Sequence, residues 1–247
     1  MPIYFQAVLG SSPTQSGVQL LPTVICLMVF GAIGGGIMQK TGRYRPFHHA
    51  GFALMTIGLG AFTLLDARSS TAVLVVVQIV FAAGTGLSIG TLLAAAQAGL
   101  PELDAATATG TWAVIRSFGT IWGITISAVV FNNRFAQLAT RISDNAVRSL
   151  LSGGQAYEHA IGSFVNSFRD QPVLRNQIIS VYTDSLKLVW QVAIGIAGLE
   201  LFLVFFEKEV KLRTELKTGF GRKQKKPTTA DDTESGREKI DPETNAD

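Results

Sequence analysis

Two charged side chains lie inside apolar stretches of the sequence. Arg116 is the one charged residue between Ala105 and Asn133, and Glu200 lies well inside a second stretch, at about 184–206. A charge at the centre of a bilayer costs about 2.5–3.5 kcal/mol on insertion scales, so both side chains are expected to face protein or a wet cavity. Two interpretations stay open: a structural ion pair between two helices, or groups on a substrate or proton pathway.

Three further side chains in apolar stretches could line a cavity for an amphipathic organic molecule. A tryptophan ring offers a large apolar surface with one polar group, and a glutamine offers a donor and an acceptor. For each of them, a packing or interface position is the alternative. These candidates are Gln78, Trp112 and Trp122.

The sequence does not contain the residue patterns of common enzymes or metal centres. It has no Walker A motif, no His-rich or paired-cysteine spacing, and a single cysteine, Cys26. His48, His49 and His159 are expected to be interface residues. We therefore expect no enzymatic activity, no cofactor and no metal.

Long uncharged stretches must position these side chains. Only 16% of the 247 residues are charged, against about 25% in a typical soluble domain. Uncharged apolar stretches of 18 or more residues are typical of membrane spans. The sequence predicts an all-α membrane protein with five complete transmembrane helices and a truncated first helix near its start. The predicted spans are residues 18–38, 48–65, 72–93, 105–131 and 184–206.

Basic residues between the spans predict which ends face the cytoplasm. Lys40, Arg43 and Arg45 lie between the first two spans, and residues 207–226 carry eight basic against three acidic residues. Both segments are predicted to be cytoplasmic. After Pro227 the cytoplasmic tail, 207–247, becomes acidic and is predicted to be disordered.

The long connection before the last span, residues 132–183, is then predicted to be an outer loop. Phe135, Leu138, Ile142 and Leu150 recur at near-helical spacing along it. An amphipathic helix on the membrane interface and a loosely ordered loop are the two alternatives.

Glycines four residues apart occur in three of the spans. This spacing permits close helix packing, and helix motion is the alternative interpretation. The glycines expected to pack are Gly31, Gly86, Gly90, Gly119 and Gly123, with Gly35 completing the first pair. In the turn that follows Gly35, the cations could pair with two carboxylates of the next cytoplasmic turn, Glu102 and Asp104.

The turn between the first two spans resembles the signature loop of the major facilitator superfamily, as repeated in the C-terminal half. Gly35, Lys40, Gly42 and Arg43 are in register, and Gln39 stands where the loop usually has aspartate. Residues 4–22 and 106–123, the latter with Arg116 followed by Ser-Phe-Gly, resemble the fungal multidrug and toxin efflux branch with fourteen spans. The resemblance covers about residues 1–206.

This resemblance implies half of a major facilitator fold, the C-terminal half of a drug:proton antiporter in the plasma membrane. The implied partners are the lipid bilayer, a small amphipathic organic substrate, and either an N-terminal half or a full-length relative, but no nucleic acid. Arg116 would then hold or tune the substrate cavity. The chain alone is not expected to transport. A half-transporter that regulates a full-length relative, or a truncated gene product, stays open as the alternative.

Overall fold

Five long helices make up most of the described chain. The computed structural model describes residues 1–210, except for the side chain of Glu102. The long helices are α1 (Pro13–Thr41), α2 (Arg45–Phe62), α3 (Thr71–Gln97), α4 (Ala105–Leu138) and α7 (Pro172–Val204). The shorter elements are a π-helical turn (Tyr4–Val8), two 3₁₀ turns (Glu102–Asp104 and Ala139–Arg141), α5 (Asn145–Leu150) and α6 (Gly162–Asn166).

The bounds of α1 follow from local hydrogen bonding. Ser12 precedes the helix, and its Oγ accepts the backbone N–H of Gln15 at 3.2 Å, which satisfies one of the free donors of the first turn. After Thr41, Gly42 adopts a φ of 67°, and its N–H donates to the carbonyl of Met38 at 2.8 Å. Only glycine adopts this left-handed conformation without steric cost, so the chain reverses here within three residues.

Four of the long helices are long and apolar enough to cross a membrane: α1, α3, α4 with the turn that follows it, and α7. The second predicted span, 48–65, falls on α2, which is not among these four. α2 has only 18 residues, and its N-terminal half carries Arg45, His48 and His49. These polar residues lower its mean hydropathy, although its second half is apolar. The residues that begin the predicted last span, from 184, lie in the middle of α7 rather than at its start.

α3 is the central helix of the bundle. Its apolar window is the most buried of the four, and it packs against α1 on one side and α2 on the other. α2 also packs against α7, and α7 against α4. α1 and α4 are left at the edges, and most of their apolar surface is exposed.

The connection between α4 and α7 differs from both alternatives considered for the predicted outer loop. α4 continues to Leu138 and α7 begins at Pro172, which leaves 139–171 as the connecting segment. Three of the four apolar residues at helical spacing do not lie on a surface, whereas Leu150 is 47% exposed. Phe135, Leu138 and Ile142 are buried in one core with residues of α7.

Polar contacts close this core. The Tyr182 hydroxyl donates to the carbonyl of Ala156 at 2.8 Å, and both residues are buried. Arg141 and Asp184 form an ion pair with a 2.7 Å N–O distance. The connecting segment is therefore packed as short helices and turns against α7.

Candidate functional site

A cavity of 270 Å³ lies among α2, α3, α4 and α7. Its wall is almost entirely apolar, since it is lined by side chains such as Leu59, Phe81 and Ile196. Two polar groups interrupt this wall, the Ser127 hydroxyl on α4 and the Glu200 carboxylate on α7. A mostly apolar pocket with a few polar groups is the usual form of a small-molecule site.

Helical spacing explains why these residues face one cavity. On α7 the lining residues are Val189, Ala193, Ile196 and Glu200, which are three or four residues apart and so lie on one face of the helix. Glu200 is half-buried. Within residues 1–210 no ion pair involves its carboxylate.

Arg116 lies on the cavity-facing side of α4 but beyond the cavity itself. Gly123 and Ser127, which line the cavity, follow it by 7 and 11 residues, which at 1.5 Å per residue is about 10 and 16 Å along the helix. The Arg116 side chain is exposed, and its guanidinium lies 5.2 Å from the centroid of the Trp112 ring. This arrangement is a cation–π contact.

Arg116 and Glu200 therefore do not form an ion pair in the described part of the chain, whose three salt bridges join other residues. The structural ion pair considered above is absent there, so neither residue neutralises the other.

The two tryptophans of α4 occupy different surroundings. Trp112 lines a second cavity of 430 Å³ together with Asp104 and Thr111. Trp122 is 53% exposed and packs edge to face with Phe118, with ring centroids 6.0 Å apart. Neither ring lines the cavity that contains Glu200.

Gln78 is buried between α1 and α3. It is 1% exposed, and its Oε1 accepts a hydrogen bond from Thr23 Oγ1 at 2.7 Å. This bond joins α1 to α3 inside the apolar bundle. Bonds of this kind hold transmembrane helices together.

The glycines of α1 and α3 lie at a close helix crossing. A Cβ added at Gly86 would lie 2.5 Å from the Leu27 carbonyl oxygen, and one at Gly90 would lie 2.5 Å from that of Gly31. Gly35 is less crowded, because its added Cβ would lie 3.6 Å from the Gly90 carbonyl oxygen.

The glycines of α4 are in open space. A Cβ added at Gly119 or Gly123 meets nothing within 4 Å among the described residues. The same four-residue spacing thus marks a packed crossing on α3 and an uncovered face on α4.

The signature-like turn makes contacts that the sequence did not predict. Gln39 and Lys40 are exposed in the last turn of α1. Arg43 lies 3.9 Å from a carboxylate oxygen of Glu209, after α7.

Of the two carboxylates expected to pair with this turn, only that of Asp104 is described. Asp104 is exposed and forms no ion pair within residues 1–210, and the Glu102 side chain lies outside the described residues. Arg45 begins α2.

The contact between His48 and Glu207 was not predicted from the sequence. His48 was expected at the interface, but it is 1% exposed, and its Nδ1 lies 2.9 and 3.0 Å from the two carboxylate oxygens of Glu207. The two residues are 159 positions apart, so no local pattern could pair them. Among the described residues, no cluster of three His, Cys, Asp or Glu could hold a metal ion.

Comparison with known proteins gives relatives of one kind. The chain is 52% identical over 227 residues to the MFS-type transporter gkaD of Penicillium citrinum. The aligned region covers 92% of this chain and 38% of that protein. It is 48% identical to the MFS-type efflux transporter phmH of Phaeosphaeria nodorum, over 91% of this chain and 39% of that protein. It is also 48% identical to the efflux pump FUS6 of Gibberella moniliformis, over 93% of this chain and 41% of that protein.

The chain thus spans about two fifths of the length of these relatives. No protein-family model matches it, and no solved structure matches it.

Proposed function

Because the chain belongs to the major facilitator superfamily, we propose that it supplies the C-terminal half of an efflux transporter for small amphipathic organic compounds. The cavity that contains Glu200 is the observation that carries this proposal. In the intact transporter this cavity contributes to the path of the substrate, and transport is coupled to protons.

The chemistry of the cavity suits an amphipathic molecule. Its apolar wall accommodates a hydrocarbon or aromatic body, while the Glu200 carboxylate and the Ser127 hydroxyl provide one charged and one polar contact. A carboxylate with no cationic partner in residues 1–210 is also free to exchange a proton. Glu200 is therefore our candidate for the residue that binds a cationic substrate group or a proton.

The exposed surface of α4 indicates that a second helical unit packs against this helix in the intact transporter. Every residue from 113 to 127 is exposed, so α4 is uncovered around its circumference here, and Arg116 is exposed together with Ile115 and Phe118. A charge facing lipid at this depth is unfavourable, whereas a partner helix or a wet cavity between two halves would accommodate it. The natural partner is an N-terminal transporter half.

The same face favours a second candidate function. A chain with an uncovered α4 could instead bind a full-length relative and regulate it without transporting. The relatives' names, as transporters and efflux pumps, make transport the first candidate.

Complementation tests the first candidate. A relative from which the segment homologous to this chain has been deleted is expressed in an efflux-deficient yeast, with and without this chain. Accumulation of a panel of fluorescent amphipathic dyes is then measured. We expect accumulation to fall only when both pieces are present, and to rise again when a protonophore collapses the proton gradient.

A matched pair of variants tests the role of Glu200. E200Q should abolish complementation, whereas E158Q, in the exposed part of the connecting segment, should not. Full complementation by E200Q at equal membrane expression would contradict the role of Glu200. If this chain instead alters dye efflux by an intact relative and never complements the deleted one, regulation replaces transport as its function.

The orientation of the chain is part of the proposal. We place the α1–α2 turn and residues 207–247 on the cytoplasmic side of the plasma membrane, following the distribution of basic residues. Impermeant thiol labelling of single cysteines at Lys40 and Gln155, both exposed, in intact cells tests this after Cys26 has been replaced by serine. The cysteine at position 155 alone should react.

A further inference from the structure

The α1–α2 turn holds the segment that follows α7. The Tyr44 hydroxyl donates to the carbonyl oxygen of Lys208 at 2.8 Å and accepts the backbone N–H of Val210 at 2.9 Å. One side chain thus satisfies two backbone groups of a segment without regular secondary structure. Backbone groups after a helix end lack the partners that a helix would provide, so this contact specifies the path of the chain.

A buried imidazole provides the second anchor. His48 is 1% exposed, and its Nδ1 lies within hydrogen-bond distance of both Glu207 oxygens. An ionised carboxylate can accept hydrogen bonds but cannot donate them. In a hydrogen bond with ionised Glu207, the proton is therefore on Nδ1 of His48. The rings of Tyr44 and Phe52 pack near the imidazole, with centroids 5.5 and 6.4 Å from it.

Weaker contacts extend the same interface. Arg43 lies near Glu209 at 3.9 Å, with the arginine side chain 73% exposed, so this pair contributes little. His49 meets the ring of Phe205 edge to face, with centroids 5.0 Å apart. Every second residue from 205 to 209 therefore touches the turn or the first part of α2.

We propose that residues 205–210 form an intramolecular latch on the α1–α2 turn, anchored by Tyr44 and by the His48–Glu207 pair. The closed latch keeps the ends of α2 and α7 together and covers Tyr44 and His48, which are 3% and 1% exposed. Release of the latch exposes both side chains and frees the chain that follows α7. This role is independent of the proposed transport function.

The buried, unpartnered nitrogen of His48 gives the latch a chemical readout. Among residues 1–210, His48 Nε2 has no hydrogen-bond partner, and it is shielded from solvent. An imidazole nitrogen without a proton reacts with diethyl pyrocarbonate once the reagent reaches it. The rate of His48 modification therefore measures latch opening at the α2 side of the contact.

The test uses the full chain in lipid nanodiscs, with hydrogen exchange and diethyl pyrocarbonate labelling measured by mass spectrometry. Y44F removes the contacts to Lys208 and Val210 but retains the ring, and E207Q removes the charge of the buried pair. E209Q is the matched control, with the same chemical change two residues away in the long, exposed ion pair.

We expect Y44F and E207Q each to speed exchange of a peptide covering 205–210 about tenfold, which corresponds to about 1.4 kcal/mol. Y44F removes two hydrogen bonds to the segment, and E207Q replaces the charged acceptor of the His48 contact with a neutral amide, which weakens that contact. His48 modification should accelerate in parallel. E209Q should change both rates less than twofold. Exchange in α3 should stay at the wild-type rate in all three variants, which shows that the bundle remains folded.

Two results would overturn the latch. One is a rate within twofold of wild type for both Y44F and E207Q in either readout. The other is an equal effect of E207Q and E209Q, which would mean that net charge, rather than the His48 contact, holds the segment. Neither hydrogen exchange nor His48 modification depends on dye efflux. The latch can therefore be refuted without refuting the transport proposal, and the reverse also holds.

Discussion

The α1–α3 crossing predicts a graded response to adding one methyl group. At Gly86 an added Cβ would lie 2.5 Å from the Leu27 carbonyl oxygen and 3.0 Å from the Gly31 nitrogen. Carbon and oxygen in ordinary contact are about 3.3 Å apart or more, so the helices must separate by several tenths of an ångström. Both obstacles are backbone atoms, which cannot rotate away.

The expected cost of G86A follows from this displacement. Inserting a methyl group into a well-packed site typically costs about 1–3 kcal/mol, and separation here would also weaken the neighbouring Thr23–Gln78 hydrogen bond. We expect G86A to lower the free energy of unfolding by about 2 kcal/mol. That is a factor of about 30 in the equilibrium constant.

Two other glycines provide matched controls. At Gly31 the added Cβ would lie 3.4 Å from the Gly86 carbonyl oxygen, which is close to an ordinary contact, and at Gly119 it meets nothing within 4 Å. G31A should therefore cost less than about 1 kcal/mol. G119A should be neutral or stabilising, because alanine is favoured over glycine within a helix by up to about 1 kcal/mol.

The assay is unfolding of the full chain in mixed micelles by titration with sodium dodecyl sulfate, followed by circular dichroism and tryptophan fluorescence. The predicted order of stability is G119A, G31A, then G86A. Equal stabilities for G86A and G119A would refute the reasoning, since they would mean that the crossing is looser than the structure shows.

Three further substitutions have defined outcomes. T23V should lower stability by about 0.6–1.7 kcal/mol through loss of its bond to Gln78, and a double-mutant cycle with Q78L should return a coupling energy of that size. Y182F should cost about 1–3 kcal/mol, because the buried carbonyl of Ala156 loses its donor; proteolysis of the connecting segment should accelerate accordingly. Replacement of the residue equivalent to Arg116 by alanine in a complete relative should abolish dye efflux at normal surface expression, and unchanged efflux would contradict a functional role.

Local patterns in the sequence account for the helical bundle. Uncharged stretches identify α1, α3, α4 and α7, because a membrane span must be long and apolar wherever it packs. The turn after α1 was likewise readable, since Gly42 supplies the left-handed conformation that reverses the chain. The ends of α4 and α7 were not readable from hydropathy. Asn132 and Arg134 interrupt the apolar run, but the helix continues because the next apolar turn is buried.

Long-range contacts account for what the sequence did not predict. The His48–Glu207 pair depends on how α2 and α7 pack, and hydropathy treats both residues only as polar ends of spans. The glycine motifs show the same limit. Identical spacing occurs in α3 and α4, yet only the α3 glycines face another backbone among the described residues.

The separation of Arg116 from Glu200 is the most informative of these differences. Had the two residues been paired, each would have neutralised the other, and α4 and α7 would have been locked together. Instead, Glu200 lines an apolar cavity, while Arg116 lies about 10 Å further along the same face of α4 than the cavity residue Gly123. A carboxylate on α7 and a guanidinium on α4 that do not pair with each other are both unfavourable in lipid. They become tolerable where a second helical unit encloses a wet path between them, and this requirement connects the exposed face of α4 to the transport function proposed for the cavity.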